Sequence, residues 1–393
     1  MSEEKLVPKL RFSGFDDEWN EVTLNDVATF SKGKGISKND ISNYGIECVR
    51  YGELYTKYNE MIYNIESKTD LDKNELKLSE KNDILIPCSG ETAIDLATAS
   101  CIQKDQVAIG GDITVIKTNQ YAPFITYYLN QKKTEIAKYA QGVSIVHLYP
   151  KDFKVMNIRI PSINEQKMII RLLEEITKKE QLLESKYQQY QEFKKYLMQQ
   201  IFTQKLRFDF DEIKLKSISK INKGKQLNKE HMLEIGKFYV LNGGQEPSGY
   251  TDSWNTSENT ITISEGGNSC GFVNFNTEKF WSGGHCYYLN KLSENIDVYY
   301  LYSYLKFIEP QIMRLRVGSG LPNIQKGDIE NIKIKILPKK EQIKISNLLL
   351  STDNKISSIE SQKDSFEIFK KGLLQQMFVV QLILSLLQNK KHI

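Results

Sequence analysis

The chain has 393 residues, of which 40% are hydrophobic and 26% charged, with a formal net charge of +4 and a mean hydropathy of -0.44. This balance excludes collagen-like, low-complexity and wholly disordered classes, and the length allows two or three globular domains. The net charge neither requires nor excludes a nucleic-acid partner. Five scattered cysteines without a CxxC pair predict neither a disulfide framework nor a cysteine zinc site.

No targeting or membrane segment is predicted. The N-terminal segment MSEEKLVPKL lacks the apolar stretch of a secretory signal. The longest apolar run, Met377 to Leu387, has eleven residues, which is too short to cross a bilayer. We therefore expect a cytoplasmic protein.

The sequence contains an internal repeat. Phe193 to Phe202 (FKKYLMQQIF) and Phe369 to Phe378 (FKKGLLQQMF) are identical at seven of ten positions, at an offset of 176 residues. The same offset relates Glu165-Gln166 to Glu341-Gln342, and the motif KLRF opens each copy. A match that stays in register this long predicts a duplicated architecture.

Each copy begins with a strand-rich head. Short apolar segments between turn residues predict strands at 83–87, 114–116, 259–263 and 286–289, and alternating segments at 157–161 and 332–337 predict a half-buried strand near the end of each head. We place the first head at residues 1–162 and the second head at residues 204–338.

A long helix follows each head, at residues 163–203 and 339–378, and a tail occupies residues 379–393. Apolar residues recur every seven positions, which is typical of a coiled-coil seam. The seam residues are Ile169, Ile176, Leu183, Tyr190 and Leu197 in the central helix and Ile345, Ile359, Phe366 and Leu373 in the C-terminal helix, where Thr352 interrupts the series.

Equal length and phase favour antiparallel pairing of the two helices over the alternative in which each helix covers its own head. The predicted fold is α+β: two mixed α/β heads separated by two long helices that form an antiparallel coiled coil, in a pseudo-two-fold circular repeat. At ~1.5 Å per residue each helix would measure roughly 57 Å and act as a ruler. A circular repeat also predicts that the first residues of the chain complete the surroundings of the C-terminal helix.

No catalytic pattern is found in the sequence. The four histidines have no partners at metal-ligand spacing, and the stretches KGKG, EGGNSCG and SGGH fit neither a Walker A loop nor a dinucleotide-binding turn. Three lysines recur in both heads: Lys32, Lys34 and Lys38 of the first head correspond to Lys223, Lys225 and Lys229 of the second. They are either solvated surface or phosphate clamps, because lysines that neutralise phosphates supply sequence-independent affinity.

The order of these motifs resembles the specificity subunit of Type I restriction-modification systems. Two heads that each end in a GV or GS loop, an alternating strand and an EQ helix start, followed by a helix ending FKKxLxQQxF, cover nearly the whole chain. The segments DILIPCSGET, TITISEGGNSCGFV and FWSGGHCYYL are similar to the target-recognition domains of that family. The resemblance implies that each head reads one half of a split double-stranded DNA target.

The same resemblance implies a non-catalytic chain without cofactors that docks two methyltransferase (modification) subunits. Those partners would methylate adenine with S-adenosylmethionine, and restriction subunits would add an ATP- and Mg-dependent nuclease. No membrane partner is implied. We expect the repeated EQ pairs and FKKxLxQQxF segments to form the docking surface, because a repeated surface binds two copies of one partner.

Residues that differ between equivalent loops are the candidate base readers, since shared residues serve the scaffold. Arg contacts guanine O6 and N7, and Asn or Gln contacts adenine. The candidates are Arg50, Tyr51, Ser89, Thr92, Gln141 and Ser144 in the first head and Gln245, Asn268, Ser269, Arg314, Arg316, Ser319 and Asn323 in the second. For Arg314 and Arg316 the alternative is the exposed face of a helix. The repeated Arg11 and Arg207 are predicted to be structural.

Two other functions stay open at this point. A duplicated enzyme would carry catalytic groups at equivalent positions, and Asp152 with Asp328 is the only such carboxylate pair outside the long helices and their starts. A coiled-coil tether with ligand-binding heads is the second alternative. The paired lysines weigh against it.

Overall fold

The computed structural model describes residues 6–142, 146–203, 211–318, 320, 322–378 and 380–382. The chain divides into two compact units, the first containing residues 1–181 and 364–393 and the second containing residues 182–363. Each long helix therefore contributes one end to each unit.

The first unit is mostly short strands. In chain order they are β1 (Leu6–Pro8), β2 (Asn20–Thr23), β3 (Ala28–Lys32), β4 (Ile41–Ser42), β5 (Ile46–Val49), β6 (Met61–Ile62), β7 (Ser67–Thr69), β8 (Ile84–Pro87), β9 (Ser89–Gly90), β10 (Ser100–Ile102), β11 (Ala108–Ile109), β12 (Ile113–Thr118), β13 (Val146–His147) and β14 (Asn157–Ile160). Its helices are α1 (Leu24–Val27), α2 (Glu53–Thr56), α3 (Ala93–Leu96), α4 (Ala122–Gln131), α5 (Lys133–Ile136), α6 (Pro150–Phe153) and the start of the long α7 (Ile163–Phe202).

A five-stranded sheet, in the order β3-β12-β8-β10-β6, lies at the centre of this unit beside a four-stranded sheet in the order β11-β5-β7-β4. Strand β8 is buried along its whole length, as its unbroken apolar run ILIP predicts. Because β12 is antiparallel to both β3 and β8, the end of β3, the start of β12 and the end of β8 share one edge. Lys34 and Ser89 lie two residues after the ends of β3 and β8, at this edge.

The second unit repeats this plan with fewer strands. They are β15 (Asp211–Lys214), β16 (Lys220–Lys223), β17 (Phe238–Leu241), β18 (Gly249–Thr251), β19 (Thr260–Ser264), β20 (Val273–Asn276), β21 (Trp281–Ser282), β22 (Cys286–Asn290) and β23 (Lys333–Ile336). The helices are α8 (Val298–Phe307), α9 (Glu309–Met313), α10 (Lys326–Glu330) and the start of the long α11 (Lys339–Phe378). The sheet order β16-β22-β19-β20 again brings the ends of β16 and β19 to the start of β22, because β22 is antiparallel to both.

The long helices pair antiparallel, as the sequence predicts. In the second unit Lys194 bonds Asp353 at 2.5 Å, Tyr187 bonds Glu360 at 3.5 Å, and Lys363 pairs with Glu184, so residue numbers rise along one helix as they fall along the other. In the first unit Lys370 bonds Glu180 at 2.7 Å. Helix α7 spans Ile163–Phe202.

The seam positions are mostly out of solvent. Six of the nine residues are buried, namely Ile169, Ile176, Leu183, Ile345, Ile359 and Leu373, and three are half-buried, namely Tyr190, Leu197 and Phe366. Thr352 is buried as well and donates its hydroxyl to the Leu348 carbonyl at 2.9 Å. That bond satisfies the polar group that interrupts the apolar series.

The start of the chain closes onto the end of α11, as a circular repeat requires. Strand β24 (Val380–Leu382), which follows α11, pairs antiparallel with β1. The Leu10 N–H donates to the Gln376 carbonyl at 3.1 Å, and Arg11 holds the Glu165 carboxylate through two bonds of 2.7 and 2.8 Å. Arg11 is therefore structural, while the corresponding Arg207 lies outside the described residues.

Candidate nucleic-acid interface

In the first head a glycine allows a lysine-bearing loop to pack closely against a Gly-Gly turn. The Gly33 N–H donates to the Ile113 carbonyl at 3.0 Å, and the Lys34 N–H donates to the Ile109 carbonyl at 2.9 Å. A Cβ on Gly33 would lie 2.0 Å from the Gly110 oxygen, so only glycine fits at this position. Lys32 and Lys34 flank that glycine and are exposed.

The second head builds the same loop from equivalent residues. The Gly224 N–H donates to the Cys286 carbonyl at 2.8 Å, and the Lys225 N–H donates to the Ser282 carbonyl at 2.8 Å. A Cβ on Gly224 would lie 2.2 Å from the Gly283 oxygen. The KGK and Gly-Gly stretches are therefore paired parts of one scaffold that presents lysines in each head.

The last repeated lysine of each head lies in a short turn. Lys38 begins the 3-10 turn Lys38–Asp40, and Lys229 begins the 3-10 turn Lys229–His231. Both side chains are exposed. Their equivalent placement supports a shared role.

Arg50 follows β5 and lies next to the Gly-Gly turn of the first head. A Cβ on Gly110 would be 3.4 Å from the Arg50 Cα atom. The guanidinium is half-buried and contacts the Glu53 carboxylate at 3.4 Å, while its Nε has no partner among the described residues. Burial alone would raise the pKa of Glu53, but hydrogen bonds from Ser67 and the Arg50 N–H outweigh it and lower that pKa. The neighbouring Tyr51 is exposed.

Ser89 joins a cluster that the sequence reveals only in part. Its hydroxyl and the His147 Nδ1 atom are 3.1 Å apart, and the His147 ring stacks on Tyr149 with centroids 5.9 Å apart. Lys32 lies over the Tyr149 ring at 5.7 Å. Gln141 is exposed and exchanges backbone hydrogen bonds with His147. His147 and Tyr149 were not predicted, although the offset of 176 relates His147 to the candidate Asn323.

Thr92 of the first head is bonded to the short helix that follows it. The Thr92 hydroxyl contacts the Asp95 carboxylate at 2.6 Å and accepts the Asp95 N–H at 3.2 Å, so it caps α3. This bonding gives Thr92 a structural role. Ser144 lies outside the described residues.

In the second head Lys223 is paired with a buried carboxylate. Its Nζ lies 2.5 Å from the Oε1 atom of Glu265, which is 4% exposed. The Tyr287 hydroxyl donates to the same oxygen at 3.0 Å. Burial, followed by this bond, raises the pKa of Tyr287 well above its ordinary value. Glu265 corresponds to Ser89 at the offset of 176, yet sequence comparison alone did not single it out.

The loop after β19 contacts the loop before α10 at Asn323, which forms an isolated bridge with Gly266. Its backbone exchanges two hydrogen bonds with Val317, and the Gly267 N–H donates to the Pro322 carbonyl at 3.0 Å. This pairing places Asn268, which is exposed, and Ser269, which is half-buried, in a loop next to that of Arg316, also exposed. Ser319 lies outside the described residues.

Arg314 and Gln245 occupy other positions in the second head. Arg314 is exposed directly after α9, so the helix-face alternative describes its location. Gln245 is exposed in the loop after β17, where the neighbouring Asn242 side chain accepts the His285 N–H at 3.4 Å. Among the described residues, no hydrogen bond ties the side chain of Arg314 or Gln245 to Asn323.

The expectation that the EQ pairs form a docking surface is wrong for three of the four residues. Glu165, Gln166 and Gln342 are buried. Gln166 accepts the Tyr121 N–H at 3.0 Å and donates to the Pro161 carbonyl at 2.9 Å, and Gln342 makes the equivalent bonds to Asp297 and Leu337. These glutamines fix the start of each long helix to its head, which is why they recur.

Within the described ranges no cluster of His, Cys, Asp or Glu could hold a metal ion. The five cysteines are buried and unpaired. None of the described helices has the length and apolarity needed to cross a membrane.

Comparison with known proteins identifies the family. The family model of the Type I restriction modification DNA specificity domain matches residues 16–191 and 208–367, and the chain belongs to this family. A putative type I specificity subunit of Mycoplasma genitalium is 34% identical over 147 residues, which cover 37% of this chain and 38% of that protein. The specificity subunit of a putative type I restriction enzyme of Methanocaldococcus jannaschii is 24% identical over 293 residues, covering 65% of this chain and 67% of that protein.

Solved structures show the same fold. The crystal structure of a Type I restriction-modification S subunit from M. genitalium has a TM-score of 0.71 at 21% identity and covers 96% of this chain and 100% of that chain. A chain from a study of complex assembly and conformational transition of a type I R-M system has a TM-score of 0.56 at 16% identity, covering 93% of this chain and 99% of its own. The segment matched to a further Mycoplasma pneumoniae relative spans only 33% of that protein.

Proposed function

We propose that this chain is the sequence-reading subunit of a Type I restriction-modification complex, with each head contacting one half of a split DNA target. The observation that carries the proposal is the repeated loop surface. Both heads present the Lys-Gly-Lys loop on the same Gly-Gly scaffold, while equivalent positions beside it differ, as Ser89 and Glu265 do. A shared basic scaffold with divergent neighbours suits phosphate contacts that position and side chains that specify.

The lysines supply the sequence-independent part of this binding. Lys32, Lys34, Lys38, Lys225 and Lys229 are exposed at the loops named above. Arg50 in the first head and Arg316, Asn268 and Asn323 in the second are the readers that the local geometry favours. Arginine suits guanine and asparagine suits adenine in the major groove.

The same proposal assigns two identical methyltransferase subunits as partners. Phe193 and Phe369 are equivalent in the repeat, and their side chains are 47% and 54% exposed. Two large aromatic residues in equivalent exposed positions favour docking of the same partner twice. We propose them in place of the EQ pairs as docking residues. The Phe193→Ala, Phe369→Ala double variant should then lose the partner while the heads keep their fold.

The chain itself performs no chemistry under this proposal. Methyl transfer with S-adenosylmethionine and ATP- and Mg-dependent cleavage belong to the partner subunits. The loops of the two heads bind and orient the DNA target.

The experiment is a salt-titrated gel shift on genomic and random duplexes, with and without the co-expressed products of the neighbouring genes, followed by methylation mapping. The expected result is a split target methylated only when this chain is present, and two partner copies per chain by mass. Equal affinity for all duplexes at every salt concentration would contradict sequence reading, and one partner copy at saturation would contradict the docking scheme.

A further inference from the structure

The Glu265 carboxylate is an unusual group for a surface that faces DNA. It is 4% exposed and lies at the end of β19, next to the lysine-bearing loop of the second head. Its Oε1 atom is satisfied by Lys223 and Tyr287. Its Oε2 atom is buried and has no hydrogen-bond partner among the described residues.

A buried carboxylate oxygen without a donor is costly, so its position calls for a partner. The His285 ring lies close to it, but its Nδ1 atom is 3.6 Å from Oε2, which is longer than an ordinary hydrogen bond. The His285 side chain is 62% exposed, so it can turn towards solvent without disturbing the core. In the complex proposed below, the ring turns aside and Oε2 meets an incoming donor.

The chemistry of DNA limits what that donor can be. Phosphates are anionic and repel a carboxylate. The groups of a duplex that donate hydrogen bonds in the major groove are the exocyclic amino groups, cytosine N4 and adenine N6, and a Glu side chain is a suitable acceptor for them.

We propose that Glu265 is a base-reading residue of the second head, whose Oε2 atom accepts a hydrogen bond from the amino group of a cytosine or an adenine in the target. Lys223 and Tyr287 are positioning residues that hold Oε1 and thereby fix the direction of Oε2. This inference rests on the function proposed above. It makes the Ser89/Glu265 difference a source of different sequence preference in two otherwise equivalent loops.

The test uses the full chain assembled with its partner subunits and two substitutions. Glu265→Gln keeps the size of the side chain but presents an amide, and Glu265→Ser installs the residue that the first head carries at this position. Binding is measured on duplexes that carry every single-base change of the mapped target. Glu258→Gln, at an exposed carboxylate two residues before the same strand, is the matched control.

Both variants should lose about 10- to 100-fold of discrimination at one base of the second half-site. A cytosine at that position identifies N4 as the donor, and an adenine identifies N6. The first half-site and the remaining bases of the second half-site should keep their sequence preference, which shows that both heads of each variant are folded, and the control should match the unchanged chain.

The inference is overturned if Glu265→Gln and Glu265→Ser leave every base of the second half-site unchanged, or if they weaken all duplexes equally, as a purely structural role would. Failure of the proposed function is recognised separately. In that case the unchanged complex would show no sequence preference at all.

Discussion

Phe378, the last residue of α11, stacks on Phe124 of α4, with ring centroids 5.3 Å apart and an angle of 27° between the rings. Its counterpart Phe202, the last residue of α7, packs edge-on against Tyr304 of α8 at 5.3 Å. All four residues are nearly or fully buried. The end of each long helix is thus part of a head's core, which explains why the FKKxLxQQxF motif is repeated.

Phe378→Ala should destabilise the first unit and Phe202→Ala the second. Removing a buried aromatic ring costs about 3–5 kcal/mol of unfolding free energy. Hydrogen exchange measured by mass spectrometry should locate faster exchange in β8 and β12 for the first variant and in β19 and β22 for the second. The exposed Phe193 is the control, since Phe193→Ala should stay within about 0.5 kcal/mol. Uniformly faster exchange in both units for both variants would contradict the assignment.

Lys32→Ala and Lys223→Ala should differ although the two lysines are equivalent in sequence. Lys32 lies over the Tyr149 ring, whereas the charge of Lys223 is neutralised by Glu265. Lys32→Ala should therefore flatten the salt dependence of DNA binding by about one phosphate, or ~0.9 in the logarithmic slope, and Lys223→Ala by less. Lys34→Ala and Lys225→Ala, both at exposed positions, serve as a matched pair with similar effects. The prediction is wrong if Lys223→Ala flattens the slope as much as Lys32→Ala.

Arg316→Ala should relax one base of the second half-site, at a cost of about 1–3 kcal/mol of binding free energy on the target only. Arg316 directly precedes Val317, whose backbone is hydrogen-bonded to that of Asn323. Arg314→Ala, after α9, is the comparison. Binding is measured across single-base variants of the target. Equal losses on target and random DNA for both arginines would show that they contact phosphates or the scaffold.

Reversing the Glu180–Lys370 pair tests the antiparallel register within the first unit. The two side chains are 26% and 18% exposed, so the bond is partly shielded from water. Glu180→Lys should destabilise the chain, and adding Lys370→Glu should restore most of the loss, giving a coupling of about 0.5–3 kcal/mol in urea unfolding. The exposed Glu175–Lys178 pair should show a coupling below about 1 kcal/mol. Absence of coupling at Glu180 and Lys370 would contradict the bond.

Thiol labelling provides a test of folding for every variant. Burial raises the pKa of Cys101 to about 12 and the pKa of Cys286 to about 11, so both thiols stay protonated at pH 8. Native protein should react slowly with iodoacetamide at that pH, and urea-unfolded protein should label at all five cysteines. Mass spectrometry counts the adducts. Rapid native labelling at Cys101 would contradict its burial.

The two long helices and six of the strands, β8, β12, β14, β19, β22 and β23, could be predicted because their signals are local: a seven-residue apolar spacing, short apolar runs and a repeat at constant offset. The polar cluster around Glu265 could not be predicted, because its two hydrogen bonds join residues that are 42 and 22 positions apart in the chain. Repetition in the sequence also does not distinguish buried residues from exposed ones. Gln166 and Gln342 recur because they are buried and bond each long helix to its head, whereas Phe193 and Phe369 recur on the surface. Both pairs look the same in the sequence.

The equivalent bonds of Gln166 and Gln342 have a consequence for inheritance. Each glutamine ties a long helix to its head through the same two backbone atoms, at positions related by the offset of 176. A different head that offers the same two backbone atoms would therefore join the helix through unchanged bonds. Under the proposed function, exchange of the coding segment for one head would change one half of the target in a single genetic event and leave the long helices as they are.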